Sequence, residues 1–151
     1  MMKALALAPR GFVFRDVLHL NRLSARVRVE WRTRDVHPWD QNVPPGRRSE
    51  LFRDQAMRDT DAAILRLFDV LPDIDAIDVR VLEPHPPNRL ILAGTVARED
   101  AVAAQALASP RMRLAMMGVR CRTNDGRLEP LESTDVTRNE SGKLRARSTA
   151  P

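Results

Sequence analysis

Tyrosine is absent from this 151-residue chain, cysteine occurs once, lysine twice, and aromatic residues make up only 4% of it. Each shortage excludes something. The lone Cys121 permits no internal disulfide, so the fold must close without a covalent staple, and nothing points to an oxidising compartment. So few aromatic rings leave little with which to stack nucleobases. The six glycines are spread singly, and none belongs to a glycine-rich phosphate loop. No apolar run approaches the roughly 20 residues that a bilayer-spanning helix needs. The opening "ALALA" is shorter than a secretory core of about 7–15 residues and stops at Pro9 and Arg10, so a cytoplasmic, reduced protein without a cleaved signal is expected.

What is present fits a soluble domain with one core: 43% hydrophobic and 30% charged residues. The formal net charge is +5, from 23 Arg and 2 Lys against 20 acids. Arginine presents a planar fork of donors that suits phosphate, so the basic balance points weakly to polyanions. Residues 21–48 carry about +4 and residues 49–72 about −2. Two neighbouring elements that pair with each other are expected from that contrast.

Hydrophobic period places the elements. Residues 25–33 alternate strictly, with Ala25, Val27, Val29, Trp31 and Thr33 on one side and Arg26, Arg28, Glu30 and Arg32 on the other. Period two with β-branched and aromatic residues predicts a half-buried strand. Residues 1–21 have no clear period and read as a loosely attached arm. A helix is expected over about 50–71, capped by Ser49 and ended by Pro72, with Phe52, Ala56, Ala63, Ile64, Leu67, Phe68 and Leu71 inward. Its outward face would hold Arg53, Asp54, Arg58, Asp61 and Arg66.

Ile77, Val79 and Val81 alternate with Asp78 and Arg80 in a second strand. The proline-rich "EPHPPN" turn leads to a third, "RLILAGTVA", and the two should form an antiparallel hairpin. A second helix starts near Glu99. "SPRMRLAMMG" reads as a fresh helical turn, with Ser109 as cap, Pro110 first and Gly118 as the stop. "VRCRT" predicts a fourth strand with Cys121 inward, and "NDG" a tight turn into a short edge strand. Residues 132–151 have almost nothing to bury and read as a disordered polar tail. The order β-α-β-β-α-β is that of an α+β domain over residues 22–131: a small, mostly antiparallel sheet with two helices packed on one face.

Residues 59–122 resemble a BON domain, an α-β-β-α-β module. The likeness rests on "DTDAAILRLF" as first helix, "IDVRV" as first strand, "LILAGTV" for the family's L-x-G-x-V strand, an Ala-rich helix, and "GVRC" entering the last strand. The chain departs from the family in its long "SPRMRLAMM" segment and its additional preceding strand. The resemblance implies a binding role, toward phospholipid surfaces or partner proteins, and no catalytic residues.

Motifs for chemistry are few. His19, His37, His85 and Cys121 lack any paired metal-ligand spacing, and Asp73, Asp75 and Asp78 lack the glycine and closing Glu of a calcium loop. No metal and no cofactor is expected. No G-x-S-x-G occurs, and no nucleophile stands with a nearby His in sequence. Met112, Met116 and Met117 stand at helical spacing and read as core filling.

Two candidate sites remain. Arg26, Arg28 and Arg32 share a strand face, and Arg120 with Arg122 share another; in one open sheet they would form a basic platform for nucleic acid or another polyanion. The stretch "VHPWDQNVPPG" puts His37, Trp39 and Asp40 within four positions. Its structural reading is a loop anchored by the Trp39 ring, with Asp40 closing a turn; its functional reading is the site of a small enzyme, since His and carboxylate suffice for proton transfer. The preferred reading is an interaction module without catalytic machinery. The identity of a partner and the oligomeric state are not encoded in any motif.

The tail generates the first testable expectation. Ordering a residue costs about 1–2 kcal/mol, which so few apolar side chains cannot offset. Deleting residues 132–151 should therefore leave the melting temperature almost unchanged in a calorimetric scan; a large drop would show that the tail docks.

Overall fold

The computed structural model describes residues 17–36 and 42–132. Nine elements follow in order: β1 (Val17–Leu23), β2 (Arg26–Arg32), α1 (Pro45–Val70), β3 (Ala76–Leu82), β4 (Leu90–Ala97), α2 (Arg98–Ala104), α3 (Pro110–Met117), β5 (Arg122–Asn124) and β6 (Arg127–Glu129). The four longer strands form one sheet in the order β1-β2-β3-β4, and β5 pairs with β6 apart from it. Within the sheet β1–β2 and β3–β4 are antiparallel, while β2–β3 is parallel, with α1 as the crossover between them. The class is α+β, as the alternation of periods implies.

The β2 alternation holds: Val27, Val29 and Trp31 are buried and Arg26, Arg28 and Arg32 are exposed. Parallel register sets Val27, Val29 and Trp31 opposite Ile77, Val79 and Val81. On β4, Val96 and Leu92 continue that apolar face. A register shift next to Leu82 then sets Leu90 opposite it, so Ile91 takes the buried place expected for Leu90. All three helices add side chains to this one core: Ile64, Leu67 and Phe68 from α1, Ala101 and Ala104 from α2, Leu114 and Met117 from α3.

Several expectations are corrected. The boundary drawn after residue 21 falls inside β1, whose backbone pairs with β2 from Val17 to Leu23. Backbone hydrogen bonding to β2 orders this stretch despite its weak hydrophobic period. Helix α1 begins at Pro45, not after Ser49: proline is favoured at a first helical position, where no amide donor is needed. Ser49 lies inside the helix and its hydroxyl donates to the Pro45 carbonyl at 3.1 Å. The expected fourth strand touches the main sheet only through Arg120, which exchanges two backbone bonds with Ala93. Of the three methionines only Met117 is core; Met112 and Met116 are exposed.

The two short-range motifs form as read. Ser109 accepts from the Met112 N–H, Pro110 is the first residue of α3, and Gly118 closes it at φ 86°. Asp125 and Gly126, both at positive φ, make the tight turn between β5 and β6. Gly94 is required by packing. A Cβ there would overlap the Gly118 carbonyl oxygen and stand 2.9 Å from the Val119 Cα, so α3's end could not approach β4.

Asp61, assigned to the outward face of α1, is only 5% exposed. Arg113 of α3 reaches it through Nε at 3.0 Å and Nη2 at 2.9 Å, and also donates to the Leu107 carbonyl at 3.0 Å. One Asp61 oxygen, Oδ1, accepts no hydrogen bond within the described residues. Removing Arg113 would strand a buried carboxylate. Arg113→Ala should cost about 3–5 kcal/mol in chemical denaturation, and an added Asp61→Leu should recover most of the loss. Equal stability of Arg113→Ala and the parent would show that the pair contributes nothing.

Candidate functional site

Strand alternation and register decide which side chains share the face of the sheet turned away from the helices. Opposite the buried Val27-Val29-Trp31 row stand Arg26, Arg28, Glu30 and Arg32. Parallel pairing sets Asp78 beside Arg28 and Arg80 beside Glu30. Ala93 pairs with Arg80, and the bridge to Ala93 brings Arg120 onto the same side. The face therefore gathers five guanidiniums, from Arg26, Arg28, Arg32, Arg80 and Arg120, around the carboxylates of Glu30 and Asp78.

These arginines are not equivalent. Asp78 is 7% exposed and held by Arg26 through Nε at 2.8 Å and Nη2 at 2.6 Å, with the Thr95 hydroxyl donating at 2.7 Å. Arg28 stands 3.8 Å from the same carboxylate, at the limit of an ion pair. Arg26 is thus a structural clamp between β2, β3 and β4. Arg32, Arg80 and Arg120 form no ion pair with another described residue.

Three of the five arginines expected to form the platform, Arg26, Arg28 and Arg32, lie together, and Arg120 joins them. Arg122 does not: it belongs to β5 and faces Glu129 at 3.8 Å and Glu132 at 3.6 Å. Arg80 was missed, although its outward place on β3 was legible; what the sequence did not show was that β3 lies beside β2. His37, Trp39 and Asp40 lie outside the described residues, as do residues 1–16 and 133–151. Cys121 is half-buried, and burial pushes its thiol above the ordinary value, the reverse of what a nucleophile needs.

A second concentration of polar groups sits at one end of the core. The start of α1, the β3–β4 turn and β6 enclose a cleft of about 360 Å³. His85 Nε2 lies 2.6 Å from Asp35 Oδ2, a contact between positions 50 residues apart that no spacing motif could have announced. Among the described residues no group of three His, Cys, Asp or Glu could hold a metal, and no helix is long and apolar enough to cross a membrane. No family model matches this chain, and neither a curated protein nor a solved structure does.

Partial burial pushes the Asp35 carboxyl up, but the hydrogen bonds from His85 and the Val36 N–H, with the charges of His85 and Arg48, outweigh it and hold the carboxyl below its usual value. A carboxyl lowered on folding contributes stability that is complete above its unfolded value, about 3.9, and lost as pH falls through the lower folded value. The melting temperature of the parent should therefore exceed that of Asp35→Asn at neutral pH, and the gap should close on acidification below about pH 4. A gap independent of pH would show that the carboxylate charge is not what matters.

Proposed function

We propose that this domain is a binding module whose working surface is the arginine face of its sheet, and that the occupant is the phosphate backbone of a nucleic acid. The observation that carries this reading is the alignment of Arg28, Arg32, Arg80 and Arg120 on one side of a sheet whose other side is sealed by helices. Same-face residues repeat about every 6.8 Å along a strand, and neighbouring strands lie about 4.8 Å apart, so the guanidiniums form a grid and not a single line. Arginine on such a grid meets phosphate oxygens through paired donors. The face has no aromatic residue among its described members, so it would grip the backbone without stacking on bases, and binding would be nearly blind to sequence. The BON-like succession of α1, β3, β4, the helical pair and the chain entering beside β4 at Arg120 favours a binding role as well.

The test is salt dependence. A random-sequence DNA duplex should bind at low ionic strength and weaken steeply between about 50 and 200 mM salt. Replacing Arg28, Arg32 and Arg80 by Ala should reduce the slope of log K against log salt by about 2–3, because each lost phosphate contact removes roughly 0.9. Arg26 is left in place to keep the Asp78 clamp. Absence of binding at low salt, or a slope that the triple change leaves intact, would overturn the proposal.

A further inference from the structure

The cleft at the start of α1 has no part in that reading, and its chemistry differs. Its floor is apolar: Val36, Ile91 and Leu128 are buried there, with half-buried Phe52 beside them. The β3–β4 turn adds the rings of Pro84 and Pro86 as one wall. About 360 Å³ falls within the range that holds small organic ligands.

Charge on the rim is what selects a ligand. Two carboxylates line the cleft, and both are engaged. Asp35 is bonded to His85 at 2.6 Å, and Glu83 is paired with Arg89 at 3.2 Å. Two further guanidiniums, Arg48 from α1 and Arg127 from β6, reach the same cleft and form no ion pair with another described residue. The lining thus holds three guanidiniums, Arg48, Arg89 and Arg127, against two carboxylates, with Arg48 and Arg127 over an apolar floor on elements that approach from different sides. A cation would be repelled there. A neutral apolar molecule would use the floor and leave the guanidiniums as they are. An anion with a flat apolar body would use both.

We infer that this cleft is a binding site for a small organic anion, an aromatic carboxylate being the simplest member of the class, with its acid group between Arg48 and Arg127 and its ring on Phe52, Ile91 and Leu128. Charge-assisted bonds from two guanidiniums fix the acid, and displacement of water from the floor supplies the apolar share.

Three probes of one shape separate these contributions: naphthoate, naphthalenemethanol and naphthylmethylammonium, titrated against the full chain and followed by amide NMR shifts. Naphthoate should bind about tenfold or more tightly than the alcohol, and the ammonium more weakly than either. Arg48→Ala and Arg127→Ala should each weaken naphthoate about five- to tenfold while leaving the alcohol within about twofold. Both side chains reach solvent and form no ion pair with another described residue, and circular dichroism checks that each variant stays folded. The Arg28, Arg32 and Arg80 replacement should leave naphthoate binding unchanged, which separates this site from the sheet face. The inference falls if none of the probes binds, if the alcohol binds as well as the acid, if either single variant leaves naphthoate unaffected, or if the shifted amides map to the sheet face.

Discussion

The arrangement of this domain depends on what Arg98 does with its guanidinium. The last carbonyls of any helix lack partners within it, and α1 has no basic residue in its last turn to meet them. Arg98, the first residue of α2, supplies the charge from elsewhere. It donates to the carbonyls of Phe68 at 3.0 Å, Leu71 at 2.7 Å and Ile74 at 2.9 Å, and its plane lies over the Phe68 ring at 4.8 Å. Its own backbone N–H bonds the Asp75 carbonyl, and the Asp75 N–H bonds Ala25 in the β1–β2 turn. The Arg98 side chain thus ties the end of α1 to the loop into β3, and the backbone bonds at Asp75 extend that tie to the start of α2 and the hairpin of the first two strands. A 26-residue helix fixed at that end is a lever roughly 39 Å long. Its other end carries Arg48 and Phe52 and is held in turn by Gln55, whose side-chain amide donates to the Arg34 and Asp35 carbonyls at 3.1 Å, and by the Arg34–Asp59 pair at 2.7 Å, so the cleft takes its shape from anchors at both ends.

A second set of contacts fixes α3, and through it the sheet face. The buried Asp61–Arg113 pair holds α3 to α1, and the absence of a side chain at Gly94 lets Gly118 close onto β4. The chain therefore leaves α3 directly beside Ala93, and the bridge at Arg120 follows. A side chain at Gly94 would displace that exit and remove Arg120 from the arginine face. Packing between helices on one side of the sheet thereby sets the charge displayed on the other.

Much of this was legible in the sequence because the signals were local. Strict alternation marked β2, Ser109 with Pro110 and Gly118 bounded α3, and Asp125 with Gly126 announced a turn; each depends on backbone geometry within a few residues. The errors have a common origin in charge and long-range pairing. Asp61 was read as outward because isolated carboxylates avoid burial, and Asp78, on the face expected for it, was read as solvated, yet each is sunk beside an arginine more than 50 positions away. β1 has a weak period, and its order comes from backbone bonds to β2. The parallel pairing of β2 with β3, which brings Arg80 to the candidate face, depends on where a 26-residue crossover delivers the chain. Nothing in the strands themselves states it. The His85–Asp35 contact is of the same kind, since the turn and the end of β2 meet only in the folded sheet.

In a chain with 23 arginines and 20 acids, the nearest acceptor decides what each arginine is for. Arg98 takes carbonyls, Arg113 takes Asp61, Arg26 takes Asp78 and Arg89 takes Glu83, and these four are spent on architecture. Arg32, Arg80 and Arg120 have no described carboxylate within ion-pair distance, and neither have Arg48 and Arg127. Like charges held close together repel, and the cost is borne by the folded state. Mobile salt ions relieve part of it, and a bound polyanion or organic acid relieves more, because it also exchanges water for directed hydrogen bonds. The two groups differ in their setting. On the sheet face the guanidiniums are spread over neighbouring strands, with Leu82 packed flush beside Arg32 and Ala93 between Arg80 and Arg120, a grid that suits a ligand whose charges are spaced along its length. In the cleft they overhang Phe52, Ile91 and Leu128, which rewards a ligand that also brings apolar surface. The same residue type is thereby directed to two chemistries by the setting in which it stands.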